Sequence, residues 1–224
     1  MTTGTPRRGR PPTVNRELIV DVARAQLDER GIETFSMRSL AAEIGVSPMA
    51  IYRHVGDRDT LLGLVLDDVS ALFPAIELPA DPHERIATLL CAVFDVLASK
   101  RWIADVLRAG SPGGSGALWL VDRILAAATE LGLDSPAAMA MYRALWTYTL
   151  GAVLNAPTAQ DQAAANERIE RKVMALGADG FPHLVAALQT LPAADPKDAY
   201  RRAIGHLIEG YTAGTAPRPT SPPQ

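Results

Sequence analysis

Residues 37–58 read MRSLAAEIGVSPMAIYRHVGDR, and the spacing of their apolar side chains describes two short helices set across a tight turn. Met37, Leu40, Ala41 and Ile44 fall at i, i+3, i+4 and i+7, so they form one stripe on a helix that has to be buried. Gly45 ends that helix. With no Cβ it enters the left-handed conformation that closes a helix, and Val46 pins the turn. Ser47 caps the next helix by accepting from an orphan backbone N–H, and Pro48 takes the first helical position, where its missing donor would have had no partner. Ile51 and Val55, one turn apart, point inward and leave Ser47, Pro48, Met49, Tyr52, Arg53 and His54 on the exposed side or at its start. This is the layout of a helix-turn-helix whose second helix enters the major groove of DNA. An ordinary corner between two core helices shares the periodicity. Two features separate them: no acid occurs among residues 44–56, and a basic arm precedes the motif.

The bulk properties fit that reading. The chain has 224 residues, enough for one medium domain or a small one joined to a larger, and 48% of them are hydrophobic. Its formal net charge is -3, yet Arg7, Arg8, Arg10 and Arg16 all precede the first acid, Glu17. For a nucleic-acid partner the location of charge matters more than its sum. A lone cysteine, Cys91, excludes an internal disulfide and a multi-cysteine zinc site, and its apolar setting reads as a buried, inert thiol. The N-terminus has no hydrophobic signal core, so a cytoplasmic location is expected. Residues 137–154 are nearly all apolar, but Arg143 is central and Tyr142, Thr147, Tyr148 and Thr149 surround it. No membrane span is expected there; the stretch reads as a helix buried on several sides, in a domain core or a dimer interface.

Enzyme chemistry finds no foothold. His54, His83, His183 and His206 are scattered without metal-ligand spacing, and no GxSxG, CxxC, Rossmann or P-loop fingerprint occurs. Asp67 and Asp68 are adjacent on a helix and diverge, which reads as solvated faces. SPGGSG at 111–116 reads as a loop, since no strand precedes it and no Lys-Ser or Lys-Thr follows. No catalytic residue, metal site or cofactor is expected.

Taken in order, residues 1–13 form a disordered basic arm, in which the arginines of RRGRPP suit the narrow minor groove. Asn15 caps a first helix with Leu18, Ile19, Val22, Ala23 and Leu27 inside, stopped by Gly31, and Ile32 and Phe35 plug the three-helix core. Asp57 opens a fourth helix over 57–73 that is too apolar to serve the reading head alone and so becomes a lever to the rest. Asp81, Pro82 and Glu84 start a core helix. Further helices are expected over 101–109, 117–131, 136–155, part of 158–180, 181–191 and 196–213, with Tyr200, Ala203, Ile204, Leu207, Ile208 and Tyr211 as the last stripe. No strand pattern appears. The fold class is all-α: arm 1–13, helix-turn-helix domain 14–60, helical regulatory and dimerisation domain 61–214, flexible tail 215–224.

The stretch SMRSLAAEIGVSPMAIYRHVGDRDTLL resembles the DNA-binding segment of the TetR family of bacterial regulators: an alanine-rich helix, Gly-Val, a short recognition helix ending in an aromatic-x-His triplet, then a polar turn with a basic residue and Leu-Leu. The match spans residues 14–66; beyond it the likeness is one of architecture. The resemblance implies that Arg38 reaches a guanine edge, that Pro48, Met49 and Tyr52 face the bases with Ser47 among the DNA-binding residues, and that Arg53 and His54 contact bases or phosphates. Arg58 would hold the backbone at the start of the fourth helix, and Arg7, Arg8 and Arg10 would enter the minor groove. It also implies a homodimer through helices 136–155 and 196–213 reading a near-palindromic operator of double-stranded DNA. The larger domain would hold a small-molecule effector, with Trp102, Trp119, Met139, Tyr142, Arg143 and Trp146 as candidate lining suited to a lipophilic molecule. The resulting expectation is a repressor released from its operator by a small lipophilic molecule. A helical small-molecule carrier and a ligand-independent DNA-binding protein are the alternatives.

Overall fold

Asn15 opens the first helix by accepting the Leu18 amide at 2.9 Å. A computed structural model of the chain describes residues 14–70, 73, 76–109, 114–155, 159–190 and 195–213, with the side chains of 159–163 left aside. The basic arm with Arg7, Arg8 and Arg10, residues 111–113 of the glycine-rich stretch and the tail 215–224 lie outside them. Eleven α-helices and two 3-10 turns make up the described secondary structure, with no strand, so the all-α expectation is met. The helices pack as two compact units. One gathers the described residues of 14–73 with those of 105–118; the other gathers those of 74–104 and 119–213.

The first unit contains α1 (Arg16–Arg30), α2 (Met37–Ile44), α3 (Pro48–Val55) and α4 (Arg58–Ser70). Ile19, Leu27, Leu40, Ile51, Leu61 and Leu62 are its fully buried large side chains. On α1 the covered arc differs from the expected one. Leu18 and Val22 are half-buried, whereas Val20 and Gln26 are buried, because α1 packs against α2, α3 and α4 together. Gln26 needs polar partners there, and it has them. Its amide donates to Glu43 at 2.6 Å and accepts from the Ser39 hydroxyl at 3.4 Å. Ser39 and Ser36 form a reciprocal capping box at the start of α2, so one polar cluster fixes where that helix begins.

The C-terminal end of α4 corrects one reading. Asp67 and Asp68 diverge, but neither is merely solvated. Asp68 pairs with Arg24 of α1 at 2.9 Å. Asp67 accepts the Gly116 amide at 2.6 Å and the Ser115 hydroxyl at 3.3 Å, from a 3-10 turn at Ser115–Ala117. That turn approaches α4 so closely that a Cβ at Gly114 would overlap the Asp67 carboxylate, and one at Gly116 would overlap the Ser70 hydroxyl. Glycine is therefore required here for proximity. Gly116→Ala is expected to destabilise the protein by about 1–3 kcal/mol through overpacking. Gly63→Ala, inside α4 with nothing within 4 Å of the added carbon, is expected to stabilise it by about 0.5–1 kcal/mol. Urea unfolding of the two variants checks both signs.

The second unit is built on α5 (Pro82–Ser99), α8 (Ser135–Leu154) and α11 (Pro196–Ala213). Asp81 caps α5 on the Glu84 amide at 2.8 Å, and Ile86, Leu89, Leu90, Val93, Phe94 and Leu97 are all buried, as the periodicity predicts. Asp134 caps α8 on the Ala137 amide at 2.9 Å. Within one chain α8 buries a single stripe, Ala138, Met141, Leu145, Thr149 and Val153. The expectation of burial on several sides is not met by the single chain, which leaves the flanks of this helix half-buried or exposed.

At the centre of this unit stands Tyr200 of α11, 2% exposed. Its hydroxyl lies 2.7 Å from the Thr149 hydroxyl and 3.3 Å from the Leu90 carbonyl oxygen. Its ring stacks on Phe94 at 4.4 Å and on Tyr148 at 5.9 Å. Ion pairs Lys197–Asp95, at 2.6 Å, and Arg201–Glu84 tie the same two helices, α5 and α11, at the surface. Between α5 and α8 in sequence come α6 (Arg101–Arg108) and α7 (Leu118–Glu130). Between α8 and α11 come α9 (Ala159–Leu176) and α10 (Pro182–Thr190), separated by Gly177 at φ 94° and a 3-10 turn at Ala178–Gly180. No described helix is long and apolar enough to cross a membrane.

Candidate nucleic-acid interface

The turn between α2 and α3 is built as its residue types dictate. Gly45 adopts φ 82° and ψ 32°, and the Gly45 and Val46 amides both return to the Ala41 carbonyl at 2.9 Å. A residue with a Cβ would be strained in that left-handed geometry. The chain then re-enters helix at once: Ser47 accepts the Ala50 amide, and Pro48 sits in the first turn. Ile51 and Val55 are buried at 0% and 3% exposure and hold α3 on the core. Their burial turns the opposite side outward. Met49 is 61% and Tyr52 42% exposed, Ser47, Pro48 and Arg53 are exposed, and His54 is half-buried.

Arg38 is exposed at the second position of α2. Among the described residues the ion pairs of this head are Arg24–Asp21, Arg24–Asp68, Arg30–Glu29, Arg30–Glu43 and Arg58–Asp59. Arg38 and Arg53 therefore present charge that no described carboxylate neutralises. Arg58 is half-buried at the start of α4, with its guanidinium 5.8 Å from the Phe35 ring centroid. That cation–π contact orients the side chain. Asp57 caps the same helix on the Thr60 amide at 2.7 Å, and this bond holds its carboxyl below the usual aspartate range. The exposed surface of α3 thus offers a thioether, a phenol and a guanidinium with no acid among them. Such a set can meet thymine methyls, base edges and phosphate oxygens.

The candidate effector residues are spread differently. Trp102 is buried on α6, while Trp119 on α7 and Met139 on α8 are 42% and 36% exposed. Tyr142 and Trp146 are half-buried and Arg143 is exposed. Met139, Tyr142 and Trp146 do share a face of α8, but it lies one residue round from the buried stripe. Burial pushes the Tyr142 phenol up. A separate aromatic group, Phe94, Tyr148 and Tyr200, is also joined by ring contacts, and periodicity does not single it out. A threonine inside an apolar helix, Thr149, is the available signal, because a buried hydroxyl requires a partner. Cys91 is buried and desolvation raises its thiol, which Arg201 and Lys197 offset only in part, as suits an inert cysteine. Among the described residues no cluster of histidine, cysteine and carboxylates is placed to hold a metal ion.

Comparison with known proteins bears on both units. Residues 19–65 match the family model described as bacterial regulatory proteins, tetR family, and residues 77–214 match tetracyclin repressor-like, C-terminal domain. The HTH-type transcriptional repressor DrrR1 of Streptomyces coeruleorubidus is 32% identical over 152 residues, covering 66% of this chain and 55% of that protein. The class D tetracycline repressor of Escherichia coli is 26% identical over 200 residues, 88% of this chain and 89% of its own. Among solved structures, ActR of Streptomyces coelicolor in complex with actinorhodin superposes with a TM-score of 0.78 at 24% identity, covering 91% of this chain and 99% of that one.

Proposed function

Because the chain belongs to the TetR family of bacterial regulatory proteins, we propose that it represses transcription as a homodimer on a near-palindromic operator and is released by a small lipophilic molecule. The observation that carries this is the outward face of α3, where Met49, Tyr52 and Arg53 project while Ile51 and Val55 are locked in the core. In this reading Arg38, Ser47, Pro48, Met49, Tyr52, Arg53, His54 and Arg58 form the DNA contacts, with Arg7, Arg8 and Arg10 in the minor groove. Residues 14–60 act as the reading head and 61–214 as the regulatory and dimerising part. It is a binding protein, not an enzyme, and works on DNA in the bacterial cytoplasm.

One head supplies few base contacts, so specificity in a genome calls for two half-sites. A two-fold dimer through α8 and α11 supplies them, and the uncovered flanks of α8 support that choice. The effector would bind among Trp102, Trp119, Met139, Tyr142, Arg143 and Trp146. A ligand-responsive reading is supported by relatives named as tetracycline repressors and by an actinorhodin complex in the same fold. Release then follows from a population shift: the ligand favours dimers whose two α3 helices do not match successive major grooves.

Selection of bound sites from random duplex DNA tests the proposal. The expected result is a near-palindromic consensus with half-site centres about one helical turn apart. Recovery of duplexes no different from the salt-sensitive background would exclude sequence-specific reading.

A further inference from the structure

One basic side chain of the reading head occupies a position that its own helix does not favour. Arg16 is the first residue of α1, where the positive end of the helix dipole opposes a cation. Its Nε donates instead to the backbone oxygen of His54, 3.4 Å away and 38 positions along the chain. His54 lies in the last turn of α3, whose final carbonyls lack intrahelical donors and whose dipole favours a cation. Arg16 therefore belongs electrostatically to the recognition helix. Only one edge of its guanidinium is used in this bond. No carboxylate among the described residues pairs with it, and the side chain is exposed.

Three further basic groups gather at the same end of α3. Arg53 and His54 stand in its last turn, and Arg58 opens the helix that follows. From this geometry we propose that Arg16 binds a phosphodiester of the DNA backbone. One guanidinium edge stays on the His54 carbonyl and the other turns to the phosphate, so that the contact fixes how deeply α3 sits in the groove. The proposal rests on α3 being the recognition helix. A guanidinium suits the task because it offers two donor edges in one plane, whereas an ammonium is a point charge. The contact sets register and carries no sequence information.

The test uses the full-length protein and the duplex recovered by selection, with Arg16→Gln and Arg16→Lys beside the wild type, titrated by fluorescence anisotropy over a range of potassium chloride. Glutamine keeps an N–H for the His54 carbonyl but removes the charge. Arg16→Gln is expected to bind every duplex more weakly by the same factor, about tenfold, and to reduce the salt slope by about 2 for a dimer, roughly one for each phosphate that is no longer neutralised. Its selected consensus and thermal midpoint stay unchanged. Arg16→Lys keeps most of the slope and gives up part of the affinity. An unchanged slope in Arg16→Gln, with or without a lower melting temperature, overturns the phosphate contact and leaves a helix cap. If the wild type itself selects no duplex, the recognition-helix reading falls and this inference falls with it; a selecting wild type with an unaltered Arg16→Gln slope refutes Arg16 alone.

Discussion

Arg38→Ala is expected to weaken binding to the selected operator by about 2–6 kcal/mol, because the guanine contact proposed for it, worth about 1–3 kcal/mol, would be lost in each half-site of a dimer. The structure gives the residue what that role needs. Arg38 is exposed and unpaired by any carboxylate among the described residues. The turn that carries it is fixed by the Ser36–Ser39 capping box and by the Gln26 amide, which holds Glu43 further along the helix. A side chain on so well anchored a helix start is pre-positioned and loses little on binding. The fold should not notice the change, since alanine is favoured at an exposed helical position. Equilibrium titration and a repeated selection check this together. Affinity should fall and the consensus should relax at one position per half-site; a uniform loss with an unaltered consensus would reassign Arg38 to the phosphate backbone.

The second large effect concerns stability. Tyr200→Ala is expected to cost about 3–5 kcal/mol, as for other buried aromatic truncations, out of a total near 5–15 kcal/mol. The ring fills space between Phe94 and Tyr148, and its hydroxyl satisfies groups on α5 and α8. Tyr200→Phe keeps the packing and loses the hydroxyl's bonds to Thr149 and Leu90, while the Thr149 hydroxyl keeps its bond to the Leu145 carbonyl at 2.7 Å, for about 0.5–1.5 kcal/mol. Urea unfolding should rank the two variants in that order. Equal losses would mean that the hydroxyl, and not the packing, dominates.

The same residue gives a dependence on pH. Burial raises the Tyr200 phenol well above its ordinary range. An unfolded chain releases that proton near pH 10 while the folded one keeps it, so above about pH 10 the folded state binds more protons and stability declines with rising pH. Below that value the contribution is fully present. Tyr200→Phe should remove most of the alkaline loss, and the smaller remainder includes Tyr142, which burial also raises.

The helix-turn-helix is legible in the sequence because its determinants are local. Gly45, Ser47 and Pro48 state the turn within three positions, and Ile51 and Val55 state which side is buried. Local caps such as Asn15 and Ser47 are legible too, but the long-range polar contacts are not, because a helical period tells which face is inward and never what it meets. Arg16 finds His54 across 38 positions, Asp67 finds Gly116 across 49 and Tyr200 finds Leu90 across 110. The candidate effector face on α8 shows the same limit. Met139, Tyr142 and Trp146 share a face by spacing alone, but on a helix with apolar residues all round, spacing does not choose between that face and the buried stripe one residue away. The glycine-rich stretch reads as a loop from its composition, yet the reason for Gly114 and Gly116 lies in α4.

Hybrid regulators are made by splicing the DNA-reading end of one protein onto the sensor of another, and the simplest cut is a single point in the chain. Here one splice after α4 would leave Asp67 and Ser70 behind a surface shaped for Gly114 and Gly116 and filled by whatever the new sensor brings. A Cβ at Gly114 would come within 2.7 Å of the Asp67 backbone nitrogen, and one at Gly116 would displace the Ser70 hydroxyl. The compact unit that holds α1 to α4 thus draws on two separate stretches, the described residues of 14–73 and of 105–118, and exchange of the first without the second is expected to lose the bonds of Asp67 to Ser115 and Gly116.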